Sequence, residues 1–263
     1  MRSYLSLTKG QLMGFVVYRL GLFLTLIGNL LYIGLIYFLW QNIYKNANTI
    51  RGMTFEQAFL YLALAGSIFI LFKTWVDWAI SRRIINGAII IDLIKPLDFQ
   101  LQMLFNSAGM ALSSLLVITL PSLIFLFLVM RSGFSIGINL AFFPIAVVLA
   151  FLISFTLDYT IGLTSFYTES LWGISMTKEI VTSILSGALI PLPFFPEVVQ
   201  RILKFLPFQA IYHVPLTLVT AQDLDVIDCL ELLGTQLIWV IVLFVLSRLW
   251  FRRVIRVLTV SGG

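Results

Sequence analysis

The sequence predicts an all-α integral membrane fold with six transmembrane helices and no separate soluble domain. Three observations carry that prediction. Charged residues are 11% of the 263 positions, too few to cover a water-facing surface, since a soluble domain carries roughly 25%. Hydrophobic residues supply 60%, and the mean hydropathy is +1.03. The apolar content falls into blocks bounded by charges, each of about the 20 residues that cross a hydrocarbon core. Helices suit such blocks because lipid offers no partner to an unpaired backbone group.

The elements follow in order. Residues 1–19 read as an N-terminal interfacial helix, with Arg2, Ser6 and Lys9 along one side and a weak amphipathic signal. The first span is expected at Leu20–Tyr44, between Arg19 and Lys45, and the second at Gln57–Phe72, with Lys73 at its end. Phe99–Met130 carries no charge and holds the third span. Ser132–Leu157 gives the fourth, Ile174–Phe195 the fifth and Leu232–Trp250 the sixth. No cleaved signal peptide is expected, because the first apolar run is too long for a signal core and no small-x-small site follows it.

Six spans put both termini on one side. That side then holds Arg2, Lys9, Arg19, Lys73, Arg82, Arg83, Lys95, Lys178, Arg248, Arg252, Arg253 and Arg256. The other side keeps only Lys45, Arg51, Arg131, Arg201 and Lys204 of the 17 basic residues. The positive-inside rule places both termini in the cytoplasm. The net charge of +5 is therefore a topology signal, and no nucleic-acid partner is expected.

Two connections are not plain loops. Residues 77–98, on the cytoplasmic side, interleave apolar residues with Asp77, Arg82, Arg83, Asp92, Lys95 and Asp98. Gly87 breaks this segment and Pro96 stops it. It reads equally well as a docking helix for a cytoplasmic partner or as a helix resting on membrane lipid through Arg82 and Arg83. Residues 191–222, on the outer side, begin with Pro191, Pro193 and Pro196, a density no helix interior tolerates. Glu197–Leu206 then reads as a short helix with Glu197, Gln200, Arg201 and Lys204 on one face and Val198, Val199, Ile202, Phe205 and Leu206 opposite. At about ten residues it cannot cross, so a re-entrant helical hairpin between spans five and six is expected.

Catalytic and metal chemistry find little support. His213 is the single histidine and Cys229 the single cysteine, whereas zinc needs three or four ligands. No Gly-x-Ser-x-Gly and no Gly-x-x-x-x-Gly-Lys-Ser/Thr occurs, so neither a serine nucleophile nor a phosphate loop is encoded. Asp158, Lys178 and Glu179 fall near span ends, where local pairing is the expected role.

The order and spacing of Asn86-Gly87 through Asp92-Leu-Ile-Lys95-Pro96-Leu-Asp98, Ser186-Gly187 through Pro191-Leu-Pro193-Phe-Phe-Pro196, Leu206-Pro207-Phe208 and Gly262-Gly263 resemble one family. It is that of the permease subunits of bacterial ABC-2, type V exporter-like, ATP-binding cassette transporters. The resemblance implies a single permease domain over residues 1–263, in the bacterial plasma (inner) membrane. It implies two copies of a separate ATPase subunit that carry ATP and magnesium, none of which this chain holds. It also implies a second permease, identical or related. Residues 77–98 would be the coupling segment, with Asp77, Arg82, Arg83, Asp92 and Lys95 at the ATPase and Glu169 in a smaller contact. Pro191, Pro193, Phe194, Phe195 and Pro196 would form an external gate, and spans two and five would line the path. An amphipathic or hydrophobic substrate would be exported by alternating access. Charge reversal at Arg82 and Arg83 is expected to uncouple hydrolysis from transport. A non-transporting scaffold or assembly factor stays open as the alternative, and co-purification with an ATPase separates the two.

Overall fold

The computed structural model describes residues 2–17, 19–130, 137–221 and 224–257. The chain opens with α1 (Arg2–Val17) and α2 (Arg19–Ile43). A two-residue hairpin, β1 (Thr49–Ile50) with β2 (Met53–Thr54), turns through Arg51 and Gly52. Both turn residues have positive φ (51° and 81°), as a tight primed hairpin turn requires. Thr54 and Gln57 then form a reciprocal capping box that starts α3 (Phe55–Phe72). After a bend come α4 (Val76–Ile85) and α5 (Ile89–Ile94). Next is α6 (Phe99–Ser114), which passes through one π-helical turn (Leu115–Thr119) into α7 (Leu120–Val129). The remaining helices are α8 (Asn139–Leu163), α9 (Trp172–Leu185), α10 (Glu197–Leu203), α11 (His213–Thr220) and α12 (Val226–Val254).

Among the described residues, five segments are long and apolar enough to cross a membrane: Leu20–Asn46, Phe55–Ile85, Phe99–Val129, Asn139–Phe166 and Val226–Val257. The second is the structural centre. Some 72% of its most apolar stretch is buried, against 11% for the first and last segments. Helix α3 accordingly supplies much of the main core, with Ile33 of α2, Leu126 of α7, Ile153 of α8 and Leu216 of α11 around it. A group of polar side chains inside this apolar body is paired. Asn29 of α2 donates to Ser122 Oγ (2.8 Å) and Ser67 Oγ (3.2 Å), and Thr119 of the π-helical turn donates to the Ser67 carbonyl (3.1 Å). These bonds tie α2, α3 and the α6–α7 rod together where lipid gives polar groups no alternative partner.

Several boundaries differ from the sequence-based expectation. The fifth span, expected at Ile174–Phe195, is α9 and stops at Leu185. Its 14 residues reach about 21 Å at 1.5 Å each, short of a hydrocarbon core. The stop is local: Gly187 takes φ +86°, a left-handed conformation that ends a helix. The fourth span, expected from Ser132, begins as α8 at Asn139, and residues 131–136 lie outside the described residues. The sixth extends well beyond Leu232–Trp250, because Asp225 and Asp228 form a capping box that starts α12 at Val226. Asp223, Gly262 and Gly263 also lie outside the described residues.

Helix α1 packs closely along α6. Thr8 Oγ1 donates to the Phe105 carbonyl (2.8 Å), the Asp98 amide donates to Tyr4 Oη (2.9 Å), and the Tyr4 and Phe105 rings lie 5.3 Å apart. Gly109 makes this approach feasible, since a β-carbon there would stand 2.7 Å from both Gln11 Cβ and the Thr8 carbonyl oxygen. Polar contacts, a ring contact and a glycine groove hold this helix, whose partly buried side carries Tyr4, Leu7, Thr8 and Leu12.

Candidate functional site

Three arrangements stand out, one at each end of α3 and one beside its middle. The first is the arm formed by α4 and α5. Its centre is Asp92, whose carboxylate receives Lys95 Nζ at 2.7 Å, Gln102 Nε2 at 3.1 Å and Arg83 Nε at 3.5 Å. Burial alone would raise this carboxyl. The hydrogen bonds of Lys95 and Gln102 and the Arg83 charge outweigh burial and hold it below its ordinary value. One acid thus fastens α4, α5 and the start of α6. Asp98, six residues later, fastens a second junction: it caps α6 through the Leu101 amide (2.9 Å) and pairs with Arg248 of α12. The arm tip that remains is apolar: Ile85, Ile91 and Ile94 are exposed, Ile94 by 79%, around Asn86 and the positive-φ Gly87.

Asp77, expected on the partner-facing surface of the arm, instead points inward and is only 2% exposed. Its Oδ2 accepts from Ser175 Oγ (2.5 Å) and Lys178 Nζ (3.3 Å) of α9. Lys178 Nζ also reaches Asp158 Oδ1 of α8 (2.5 Å), and Thr74 donates to the other Asp158 oxygen (2.5 Å). Lys73 and Glu179 pair beside them at 2.9 Å. The local pairing expected of Asp158, Lys178 and Glu179 is therefore present, with partners from three helices. A cavity of about 60 Å³ lies among these groups. The buried, otherwise unpartnered Thr182 hydroxyl lines it, and the space suits a few waters. Gly162 brings α8 against the root of the arm: a β-carbon there would be 2.9 Å from Asp77 Cα. Arg82 is exposed on α4, and Glu169 is exposed in the turn before α9. Among the described residues no ion pair joins Glu169 to the arm.

The second arrangement is the proline-broken segment at the far end of α3. Pro191 and Leu192 are buried, and Leu192–Phe194 forms one 3₁₀ turn. Phe194 stacks on Trp40 of α2, with centroids 5.3 Å apart and planes at 24°. Pro193 and Phe195 leave carbonyls without helical partners, and Gln200 Nε2 donates to both, at 3.2 and 2.8 Å. The structure divides the polar face expected for α10. Gln200 turns inward with buried Leu203, while Val198, Ile202 and Phe205 (81%) are exposed beside Glu197 and Arg201. Pro196 leads into α10 from extended ψ (147°). Beyond it, α11 is buried against α3 and α8. Gln236 of α12 donates to the Ala210 carbonyl (2.7 Å), Asn139 of α8 to that of Leu218 (2.9 Å), and the His213 amide to that of Ser186 (3.2 Å). Interrupted helices can sit inside an apolar body only when their freed carbonyls are satisfied in this way.

The third feature is a cavity of about 450 Å³ between α2, α3 and the end of α9, walled by Tyr32, Phe69, Ile70 and Leu189 with Asn29 and Thr25 as polar points. Sequence reasoning missed Lys178 as a bridge, Gln200 as a clamp and Asn29 as a polar core. Lys178 and Asp77 lie 101 positions apart, and nothing in their local sequence announces the contact.

A family model described as ABC-2 family transporter protein matches residues 30–262, nearly the whole chain. No curated protein matches.

Proposed function

The chain belongs to the ABC-2 transporter family, and from that premise we propose that it is the membrane-spanning permease subunit of a bacterial exporter powered by a separate ATPase. It is a multi-pass membrane protein with several apolar helices. In the proposed arrangement two permeases, identical or related, face each other across the inner membrane. Two ATPase subunits, carrying ATP and magnesium, sit at the cytoplasmic ends. Both termini and the α4–α5 arm lie on that side, as the basic residues favour. Helix α9 with the chain just after it supplies the fifth of six spans, and the proline-broken segment forms the re-entrant hairpin between the fifth and the sixth.

The observation that carries this reading is the construction of the arm. Its tip presents Ile85, Ile91 and Ile94 to a partner. Asp92 makes it rigid, and its root is bound through Asp77 to Lys178 of α9 and thence to Asp158 of α8. A push at the tip is therefore delivered to α9 and α3, the proposed path helices. Arg82, Arg83 and Lys95 then act around this apolar tip, and Asp77 and Asp92 serve as internal fasteners. Pro191, Pro193, Phe194, Phe195 and Pro196, pinned by Gln200 and Trp40, form the outer gate. The apolar cavity beside Asn29 supports an amphipathic or hydrophobic substrate. Closure of the ATPases must favour the outward-facing state by a few kcal/mol.

Purification of the chain from its native host tests the reading, with Ile91→Glu and Ile94→Glu as variants. The wild type is expected to bring down a phosphate-loop ATPase in stoichiometric amount, and each variant to lose it. A wild-type chain purified without any ATPase favours the scaffold alternative. An Ile94→Glu chain with undiminished ATPase binding removes the tip from the interface.

A further inference from the structure

We infer that a groove between α1, α4 and α6 binds the headgroup of an anionic phospholipid. The groove holds about 380 Å³ and lies where the arm leaves the membrane-crossing body. Gln11 of α1 forms one wall and Asn106 of α6 another, with Arg82 and Arg83 on α4 and Trp75 and Trp78 at the bend. Its lining among the described residues carries two guanidinium groups and no carboxylate.

The two arginines are differently placed. Arg83 is engaged by Asp92 and by Met103 Sδ (3.1 Å). Arg82 is exposed and makes no ion pair among the described residues, so its guanidinium is available for an oxyanion. A planar fork of donors suits phosphate oxygens. Gln11 and Asn106 add neutral amide donors from two further helices.

The surroundings favour a lipid as the source of that phosphate. The α6 wall belongs to the uncharged span Phe99–Val129, so the groove opens along a surface expected to face acyl chains. Met110 and Trp75 leave apolar surface exposed beside Arg82. Tryptophan is characteristic of the membrane–water boundary, and basic pockets between spans on the cytoplasmic side suit anionic headgroups. Trp75 holds a left-handed backbone (φ 54°) that a bulky residue adopts at some cost. The neighbouring Thr74–Asp158 bond and the Lys73 ammonium 4.4 Å from its ring surround it there.

This inference rests on the proposed orientation of the arm but not on any ATPase, so the two can fail separately. The test uses the full-length chain alone, in detergent, with equimolar phosphatidylglycerol and phosphatidylcholine, and counts retained lipid by native mass spectrometry. Wild type is expected to retain phosphatidylglycerol preferentially. Arg82→Gln and Gln11→Glu, exposed positions on different helices, should each reduce that preference about fivefold. Lys9→Gln, on α1 but outside the groove, should leave it unchanged, and inorganic phosphate should not displace the lipid. Equal retention of the two lipids overturns the inference. So does a Lys9→Gln loss as large as that of Arg82→Gln, or displacement by inorganic phosphate.

Discussion

Lys178 Nζ lies 2.5 Å from Asp158 Oδ1 and is an ammonium that Asp158 shares with Asp77, 3.3 Å away. Two carboxylates on one lysine make the consequences of substitution unequal. Lys178→Met leaves two buried acids facing each other without a cation, and removing one partner of a buried pair costs about 3–5 kcal/mol. Asp158→Asn leaves Asp77 and Lys178 as a matched pair, and the new side chain can turn its amide oxygen to Lys178 while its NH2 donates to the Thr74 hydroxyl. Thermal unfolding in detergent should therefore show a large fall in midpoint for Lys178→Met and a small one for Asp158→Asn. Equal effects would mean that Asp77 does not share the lysine.

The arm carries a pH dependence of defined sign. Asp92 is held below its ordinary value of 3.8 by Lys95, Gln102 and Arg83, against the opposing effect of burial. A depressed carboxyl stabilises the fold fully above its unfolded value and loses that contribution as pH falls through the folded value. Wild type is expected to melt higher than Asp92→Asn throughout the neutral range. The gap should stay constant down to about pH 5 and close as pH drops below about 4. A gap that widens on acidification would contradict the ion-paired Asp92.

Much of this architecture is legible in the sequence because its causes are local. Charges such as Arg19, Lys45 and Lys73 bound the long apolar runs, and three prolines between Pro191 and Pro196 forbid a continuous helix whatever surrounds them. The fifth span was misjudged because hydropathy continues smoothly past Leu185, while the helix obeys the backbone of Gly187. The polar face of α10 is divided in the fold for the converse reason. Gln200 is polar, but two orphaned carbonyls, those of Pro193 and Phe195 seven and five residues before it, draw it inward. Asp77 looked like a surface charge because its partners, Ser175 and Lys178, are distant in sequence and supplied only by the fold.

The polar core beside the apolar cavity gives a smaller effect. Asn29→Leu removes donors to Ser67 and Ser122, but Ser67 keeps its bond to the Ala63 carbonyl (2.9 Å), so the loss is partly absorbed. Side-chain hydrogen bonds between membrane helices average about 0.6 kcal/mol and reach about 1.7. Asn29→Leu should lower stability within that range, as measured by denaturation in mixed micelles. A loss far above it would indicate that Asn29 supports more than these two contacts.

Gly187 and Tyr61 provide the sharpest steric test. Gly187 has φ +86°, and a β-carbon there would stand 2.5 Å from Leu192 Cδ1 and 2.7 Å from Tyr61 Oη. Gly187→Ala therefore meets two separate penalties: about 1–2 kcal/mol for a left-handed backbone and about 1–3 kcal/mol for overpacking. Tyr61→Phe alone should be mild, because it removes only the long 3.4 Å contact of its hydroxyl with His213 Nδ1. In the Gly187→Ala background the same change should be beneficial, since it clears one of the two obstructing atoms while the backbone penalty persists. Melting midpoints of the two single variants and the double variant distinguish these contributions. A Gly187→Ala protein that unfolds with wild type would show that neither the positive φ nor the close approach constrains this turn.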